Sequence, residues 1–222
     1  MFIHILLFFI LFFSIIFDDI FIFNMVLLVL RYKVVFLMMR DDYTIERFEK
    51  DVPLDEIRRN YINFEHTEKL CRMCRCHTSN WTCPPFNQDQ INIWEKYDNI
   101  KLILLKFNFT SNALQKVFED EKIMEYSFDL HHGEKTLIEP YLKSLEEELD
   151  GCYLTCGPCV NCKECQRLNG KSCVMPDKRK YAMEALGADI IGISKDYFGI
   201  NLQWIHENKL PEYIIMMVSV LY

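Results

Sequence analysis

Read for its apolar and polar positions, the chain changes character at Arg40. Residues 1–17 are an almost unbroken apolar run, interrupted only by His4 and Ser14, and a second run covers Ile20–Leu30 after Asp18-Asp19. Beyond Arg40 charges and turn formers appear, and periodic segments can be picked out. Pro53–Phe64 has apolar side chains at 54, 57, 61 and 64, a three-and-four spacing that predicts an amphipathic helix with Pro53 near its first turn. Ile100–Phe109 (IKLILLKFNF) predicts a strand whose central run is too apolar for a solvent-facing edge. Helices are expected over Leu114–Asp129 and Glu139–Leu149, with His131-His132-Gly133 as a solvent-exposed loop between them. In the second helix Leu142, Leu145 and Leu149 form an apolar stripe opposite Glu146, Glu147 and Glu148. That acidic face is read as solvated, with docking of a basic redox partner as the alternative.

Further along, Pro176–Leu186 predicts a helix opened by Pro176 and stopped by Gly187. Ala188–Ile193 reads as a short strand and Tyr197–Asn208 as a turn and short helix. Pro211–Tyr222 reads as a terminal strand paired with the 100–109 segment. The resulting expectation is an α+β (or α/β) single domain over residues 40–222, with a small central sheet packed by helices and cysteine-rich metal-binding loops.

The apolar residues 1–39 are long enough to raise a membrane anchor. They lack a basic n-region and a small-residue cleavage site, so a secretory signal fits poorly. They also contain no Gly, Ala, Thr, Pro, Trp or Cys, although small residues are what membrane helices pack through. Nine of the seventeen phenylalanines fall here, among residues with AT-rich codons. The expectation is an annotation artefact with the natural start at Met38 or Met39, a genuine anchor being the alternative.

The formal charge of −7 argues against an electrostatic grip on nucleic acid, and the longest basic run, Lys178-Arg179-Lys180, is too short to change that. The ten cysteines carry the chemistry. Six lie within twenty-two residues, Cys152 to Cys173, and Cys159, Cys162 and Cys165 are spaced C-x2-C-x2-C, with Cys173 following. Two intervening residues make a loop that turns successive thiolates toward one centre while its N–H groups bond the sulfurs. An uninterrupted triple therefore points to an iron–sulfur cluster, whereas zinc takes two cysteines from each of two turns. Disulfides would need an oxidising compartment and a scaffold too small to hold itself together, which a 26.6 kDa chain is not. Reduced, metal-bound thiols imply a cytoplasmic protein, membrane-anchored only if residues 1–39 are genuine.

A first group precedes this one: Cys71, Cys74, Cys76 and Cys83, closed by Pro84-Pro85. Cys71 and Cys74 form a C-x2-C turn and Cys83 is the third candidate ligand. Cys76 is either the fourth ligand or a buried structural thiol, and His77 is read as an ordinary loop histidine. Trp81 and Phe86 are expected to shield the site or to belong to the core. No phosphate loop, nucleophile elbow or zinc-protease helix is present, and no acid–base pair is visible.

The second group with its flank, GPC-x2-C-x2-C at Gly157 to Cys165, Gly170 to Cys173, Pro176 and Met183 to Gly187, resembles a family of predicted metal-binding proteins, the domain-of-unknown-function family numbered 2284. Its C-x2-C and W-x-C-P-P elements fall on Cys71, Cys74, Trp81 and Cys83 to Pro85, so the resemblance runs from roughly residue 45 to the end. It implies metal binding and no particular reaction. Cys76, His77, Cys152 and Cys156 lie outside the pattern. The expected function is an oxygen-sensitive [4Fe–4S] protein of an anaerobe, with one or two clusters passing single electrons to a redox partner protein. Cys159, Cys162, Cys165 and Cys173 would hold one cluster, and Cys71, Cys74 and Cys83 with Cys76 or another group would hold the second or complete a shared site. A zinc-stabilised interaction module is the alternative.

Overall fold

The computed structural model describes residues 26–30, 33–39, 41–119 and 121–222. The expectation for residues 1–39 falls largely outside these. Within the described part, Val26–Leu30 (β1) and Lys33–Met39 (β2) pair antiparallel with each other. Among the described residues no helix is long and apolar enough to cross a membrane.

The mixed α+β architecture is organised on an antiparallel sheet whose central strands are Tyr43–Pro53 (β3), Asn99–Phe109 (β4) and Tyr213–Leu221 (β6), with the short Cys152–Leu154 (β5) beyond them. The order is β1-β2-β3-β4-β6-β5. β4 lies in the middle, matched to β3 from Tyr43↔Phe109 to Pro53↔Asn99 and to β6 from Ile100↔Leu221 to Asn108↔Tyr213. Because helices cover both faces, β4 shows no polar face, which explains the apolar run 102–105 at its centre. Ile103, Leu105 and Phe107 point to one side and Ile100, Leu102 and Leu104 to the other, each at most 5% exposed. The predicted pairing of the terminal strand with the 100–109 segment is present.

One face is covered by a single 27-residue helix, Lys122–Glu148 (α3), through Ile123, Leu130, Ile138, Leu142 and Leu145. This corrects the expectation of two helices with a loop at His131-His132-Gly133. Gly133 costs backbone freedom and Pro140 one intrahelical N–H bond, and the apolar stripe Leu130, Ile138, Leu142 and Leu145 packed on the sheet across both outweighs them. His131 is half-buried, with its ring nitrogens 2.7 Å from the Ser127 carbonyl and 3.2 Å from the Ile215 carbonyl of β6. The 111–114 stretch forms a separate helical turn capped by Thr110.

The opposite face is covered by Leu54–Tyr61 (α1), Phe64–Cys71 (α2) and Ile190–Phe198 (α4), together with Trp94, Met183 and Leu186. The periodicity at 54, 57, 61 and 64 holds, with Leu54 and Ile57 fully buried, but the chain breaks at Ile62-Asn63 and the Asn63 side chain caps α2. Three further expectations are corrected. Residues 176–186 hold two short 3-10 turns, Pro176–Lys178 and Glu184–Leu186, because Ala182 between them bridges Thr155. Gly187 does stop the second, at φ 98°. In place of the strand expected over Ala188–Ile193, only Ala188 makes a bridge, to Ile62, and α4 begins at Ile190, since the Asp189 carboxylate accepts the Gly192 N–H and caps it. The helix expected within 197–208 is absent: α4 ends at Phe198 with Gly199 left-handed, leaving only a His206–Lys209 bridge beyond.

Gly151, at the entrance to β5, has no room for a side chain. A Cβ there would lie 2.2 Å from the Leu221 carbonyl oxygen and 3.2 Å from a Val220 methyl. Gly151→Ala is expected to push β5 from β6 and to lower stability by about 1–3 kcal/mol, read from the urea midpoint.

Candidate metal centre

Both cysteine groups lie at one end of the fold, in loops fed by rigid elements. The first leaves the C-terminus of α2, where Cys71 is the last helical residue. Its loop is a series of short turns: Cys74 N–H donates to Cys71 O, His77 N–H to Cys74 O, and Cys83 N–H to Asn80 O, each at 3.0 Å. The second follows β5, passing Thr155, which exchanges backbone bonds with Tyr181 and Met183. All ten cysteines are free thiols.

The loops are stitched together by groups that the spacing of cysteines does not advertise. Asn80 Nδ2 donates to Cys159 O at 2.9 Å, Cys159 N–H donates to Thr82 Oγ1 at 2.9 Å, and Thr82 Oγ1 donates to Asn80 Oδ1 at 2.9 Å. Thr82 is fully buried. Arg167, between Cys165 and Cys173, reaches back with Nη1 to Asn80 O at 2.7 Å and Cys83 O at 2.5 Å, and with Nη2 to Pro85 O at 3.2 Å. Its guanidinium also lies 5.1 Å from the centre of the Trp81 ring, whose Nε1 donates to Lys171 O at 3.0 Å. Trp81 thus links the loops, and Phe86 packs edge-on against Tyr181 at 5.3 Å. From α3, Lys135 Nζ donates to Cys156 O and Pro158 O at 2.9 Å each.

Cys71, Cys74, Cys76 and Cys83 are close enough to act on one another. Burial, and then Glu184 and Cys74, push Cys71 up to about 11. Cys83, buried, is pushed up to about 12 by desolvation and then by Cys76, Cys74 and Cys71. Cys76 is raised by burial first and by Cys74 next, and its backbone N–H lies 3.4 Å from Cys74 Sγ. Cys76 therefore belongs with the first group in space. In the second group Cys159 is raised chiefly by burial, opposed by the Asn161 backbone N–H, with Cys162 and Cys173 pushing it further up. Thiols whose ionisation is opposed by burial and by one another are stabilised as thiolates by a bound cation.

Between the groups lies a cleft of about 540 Å³, and five thiols line it: Cys76, Cys159, Cys162, Cys165 and Cys173. Trp81, Phe128 and His132 are also on its walls, so His132, expected in a solvent-exposed loop, stands on α3 beside the second group. Among the described residues no three His, Cys, Asp or Glu side chains are gathered as a single ion's ligands would be. His77 Nε2 is buried without a hydrogen-bond partner among the described residues. Cys152 and Cys156 do not line the cleft; burial holds the Cys156 thiol up to about 12, and Glu184 adds to that.

Glu184 is a further residue the cysteine pattern missed. Its Oε1 accepts the Gly157 N–H at 2.7 Å, anchoring the entry to the second loop, while its charge acts on Cys71 and Cys83 of the first. Burial raises its own affinity for a proton. Glu184→Ala is expected to leave the Gly157 N–H unpaired and to lower stability by about 1–3 kcal/mol, with Glu184→Gln recovering most of the loss. Chemical denaturation of the three proteins side by side checks this.

The donor chemistry, all thiol with backbone N–H groups turned toward sulfur, fits a thiolate-held metal group. Residues 55–222 match the family model described as "Predicted metal-binding protein (DUF2284)". No curated protein and no solved structure gives a match.

Proposed function

Since the chain belongs to the DUF2284 family of predicted metal-binding proteins, we propose that it is an iron–sulfur protein of an anaerobic cell that carries single electrons between partners. The observation that carries this reading is the meeting of the two cysteine groups in one lobe, with Cys76 of the first set on the wall of the cleft lined by the second. Cys159, Cys162, Cys165 and Cys173 would hold one [4Fe–4S] cluster, and Cys71, Cys74, Cys76 and Cys83 the other. Such clusters supply one-electron storage at a potential set by hydrogen bonds to sulfur and by exclusion of water.

The chain's own residues serve that role. Cys76 N–H faces Cys74 Sγ and Asn161 N–H acts on Cys159, which lowers the energy of each thiolate. Trp81 screens the cleft from one side and Phe128 from another, and the Asn80–Thr82–Cys159 bonds keep the loops in a fixed relation. Adjacent sets in a rigid frame suit electron exchange, because little has to move when the charge changes.

Optical spectroscopy of the anaerobically reconstituted protein tests the reading. A broad absorbance near ~400 nm that bleaches on addition of reductant is expected. A colourless protein that takes up zinc and shows no redox-dependent absorbance would assign the thiols to a structural role.

A further inference from the structure

The cysteine lobe has the opposite charge to the body that carries it. From Lys69 to Phe86 there are three basic residues, Lys69, Arg72 and Arg75, and no acidic one. From Gly157 to Tyr181 there are six basic residues against Glu164 and Asp177. The two segments together are formally +7 in a chain of −7, so the remainder carries −14. Lys69, Arg72 and Lys180 are ion-paired with Glu65, Glu68 and Glu146 outside the two segments, which leaves +4, about balanced by two four-thiolate [4Fe–4S] centres of about −2 each, so the positive charge a partner meets is that of the unpaired surface lysines.

Several of these charges face solvent. Lys163, Lys171 and Lys178 are exposed, and none has an ion pair among the described residues. Apolar side chains stand among them: Leu168 is 60% exposed, Val174 63% and Met175 38%, and all three line the same cleft as Lys163 and Arg179. Asn161, also on that cleft, donates to Lys178 O at 2.7 Å, which brings Lys178 to its edge. An apolar centre at the mouth of the thiol cleft, with a border where Lys163, Lys178 and Arg179 outnumber Glu164, has the anatomy of a protein interface.

We infer that this face docks an acidic electron-carrier protein, seated over the cleft with its anionic surface against Lys163, Lys171 and Lys178. The inference rests on the electron-transfer reading above and names its partner class. Charge complementarity selects the occupant: opposite fields speed encounter and orient it, and the exposed Leu168, Val174 and Met175 give a dry contact beside the thiols. A long nucleic acid would also see the basic face, but it would run onto a body of −14, and the apolar centre offers phosphate nothing. A compact acidic protein meets only the lobe.

The test uses the full chain, metal-loaded without oxygen, and a small acidic [2Fe–2S] ferredoxin as probe, with affinity measured by titration calorimetry. Binding should weaken about tenfold or more between ~25 and ~250 mM salt. The triple substitution Lys163→Glu, Lys171→Glu, Lys178→Glu should weaken it about 10- to 100-fold at low salt. Glu147→Lys with Glu148→Lys, on the exposed face of α3, should leave it within about twofold. Equal binding by wild type and the triple variant, or no binding by wild type at low salt, would overturn the inference. So would a short DNA duplex that binds more tightly than the ferredoxin and depends on the same lysines. A loaded protein containing zinc in place of iron would defeat the electron-transfer reading, while the salt and charge-reversal results would still decide the docking face.

Discussion

Arg167→Ala should detach the first cysteine loop from the second. The three shortest bonds of the guanidinium to that loop go to the carbonyls of Asn80, Cys83 and Pro85, a longer one reaches Pro84 O, and the group lies over Trp81. Hydrogen bonds to a charged donor are worth roughly 1.5–3 kcal/mol each, and carbonyls left without partners add their desolvation cost. The bonds are not additive, so a loss of about 3–4 kcal/mol is expected for the lobe. Much of the sheet should survive, since its core lies between α3 on one face and α1 and α4 on the other. Arg167→Lys should recover only part of the loss, because an ammonium cannot reach three carbonyls with a planar fork. Hydrogen exchange resolved along the chain checks this: protection should fall over residues 71–86 and 157–175 while β4 and β6 remain protected. Uniform loss across the sheet, or no loss in the loops, would contradict it.

The second large effect is expected from single cysteine substitutions, which separate the two sets. Cys162→Ser should remove the metal of the second group, about half of the total if each group holds its own centre, while the far-ultraviolet circular dichroism stays that of the wild type. Cys83→Ser should remove the other half. Cys83 is the more buried, so its substitution should also lower stability by about 1–2 kcal/mol through a half-satisfied hydroxyl. Cys152→Ser should leave the metal content unchanged, since Cys152 lies in β5 among Lys180, Glu146, Lys96 and Tyr97, with no other thiol among the described residues acting on it. Loss of all metal from either Cys162→Ser or Cys83→Ser would instead mean one shared centre.

How much of this could be read from the chain depends on whether the controlling interaction is local. β4 and β6 were readable because a strand covered on both faces is apolar along its centre, and 102–105 and 214–218 are runs where that holds. The cysteine sets were readable because ligand loops are short and their spacing is in the sequence. The interruption expected at His131-His132-Gly133 was wrong because Leu130, Ile138, Leu142 and Leu145 hold α3 against the sheet across it. A short strand was expected over 188–193, whereas the Asp189 cap decides for helix over a short run where periodicity is ambiguous.

Asn80, Thr82, Arg167 and Glu184 escaped notice for a different reason. Each acts on backbone groups far away in sequence, and a polar side chain aimed at a distant N–H or carbonyl has no periodicity. Their only sequence trace is position: all but Glu184 sit between or beside cysteines, where loop polarity looks ordinary. The basic character of the lobe was hidden by an acidic total, since a net charge sums over surfaces that face different partners.

The central claim is that these thiols grip iron and inorganic sulfide. Iron and acid-labile sulfide should be determined chemically on protein isolated without oxygen, alongside zinc. The account predicts about four irons and four sulfides for each occupied centre, with zinc well below one per chain. Stoichiometric zinc with no sulfide, persisting after anaerobic reconstitution with iron and sulfide, would contradict it.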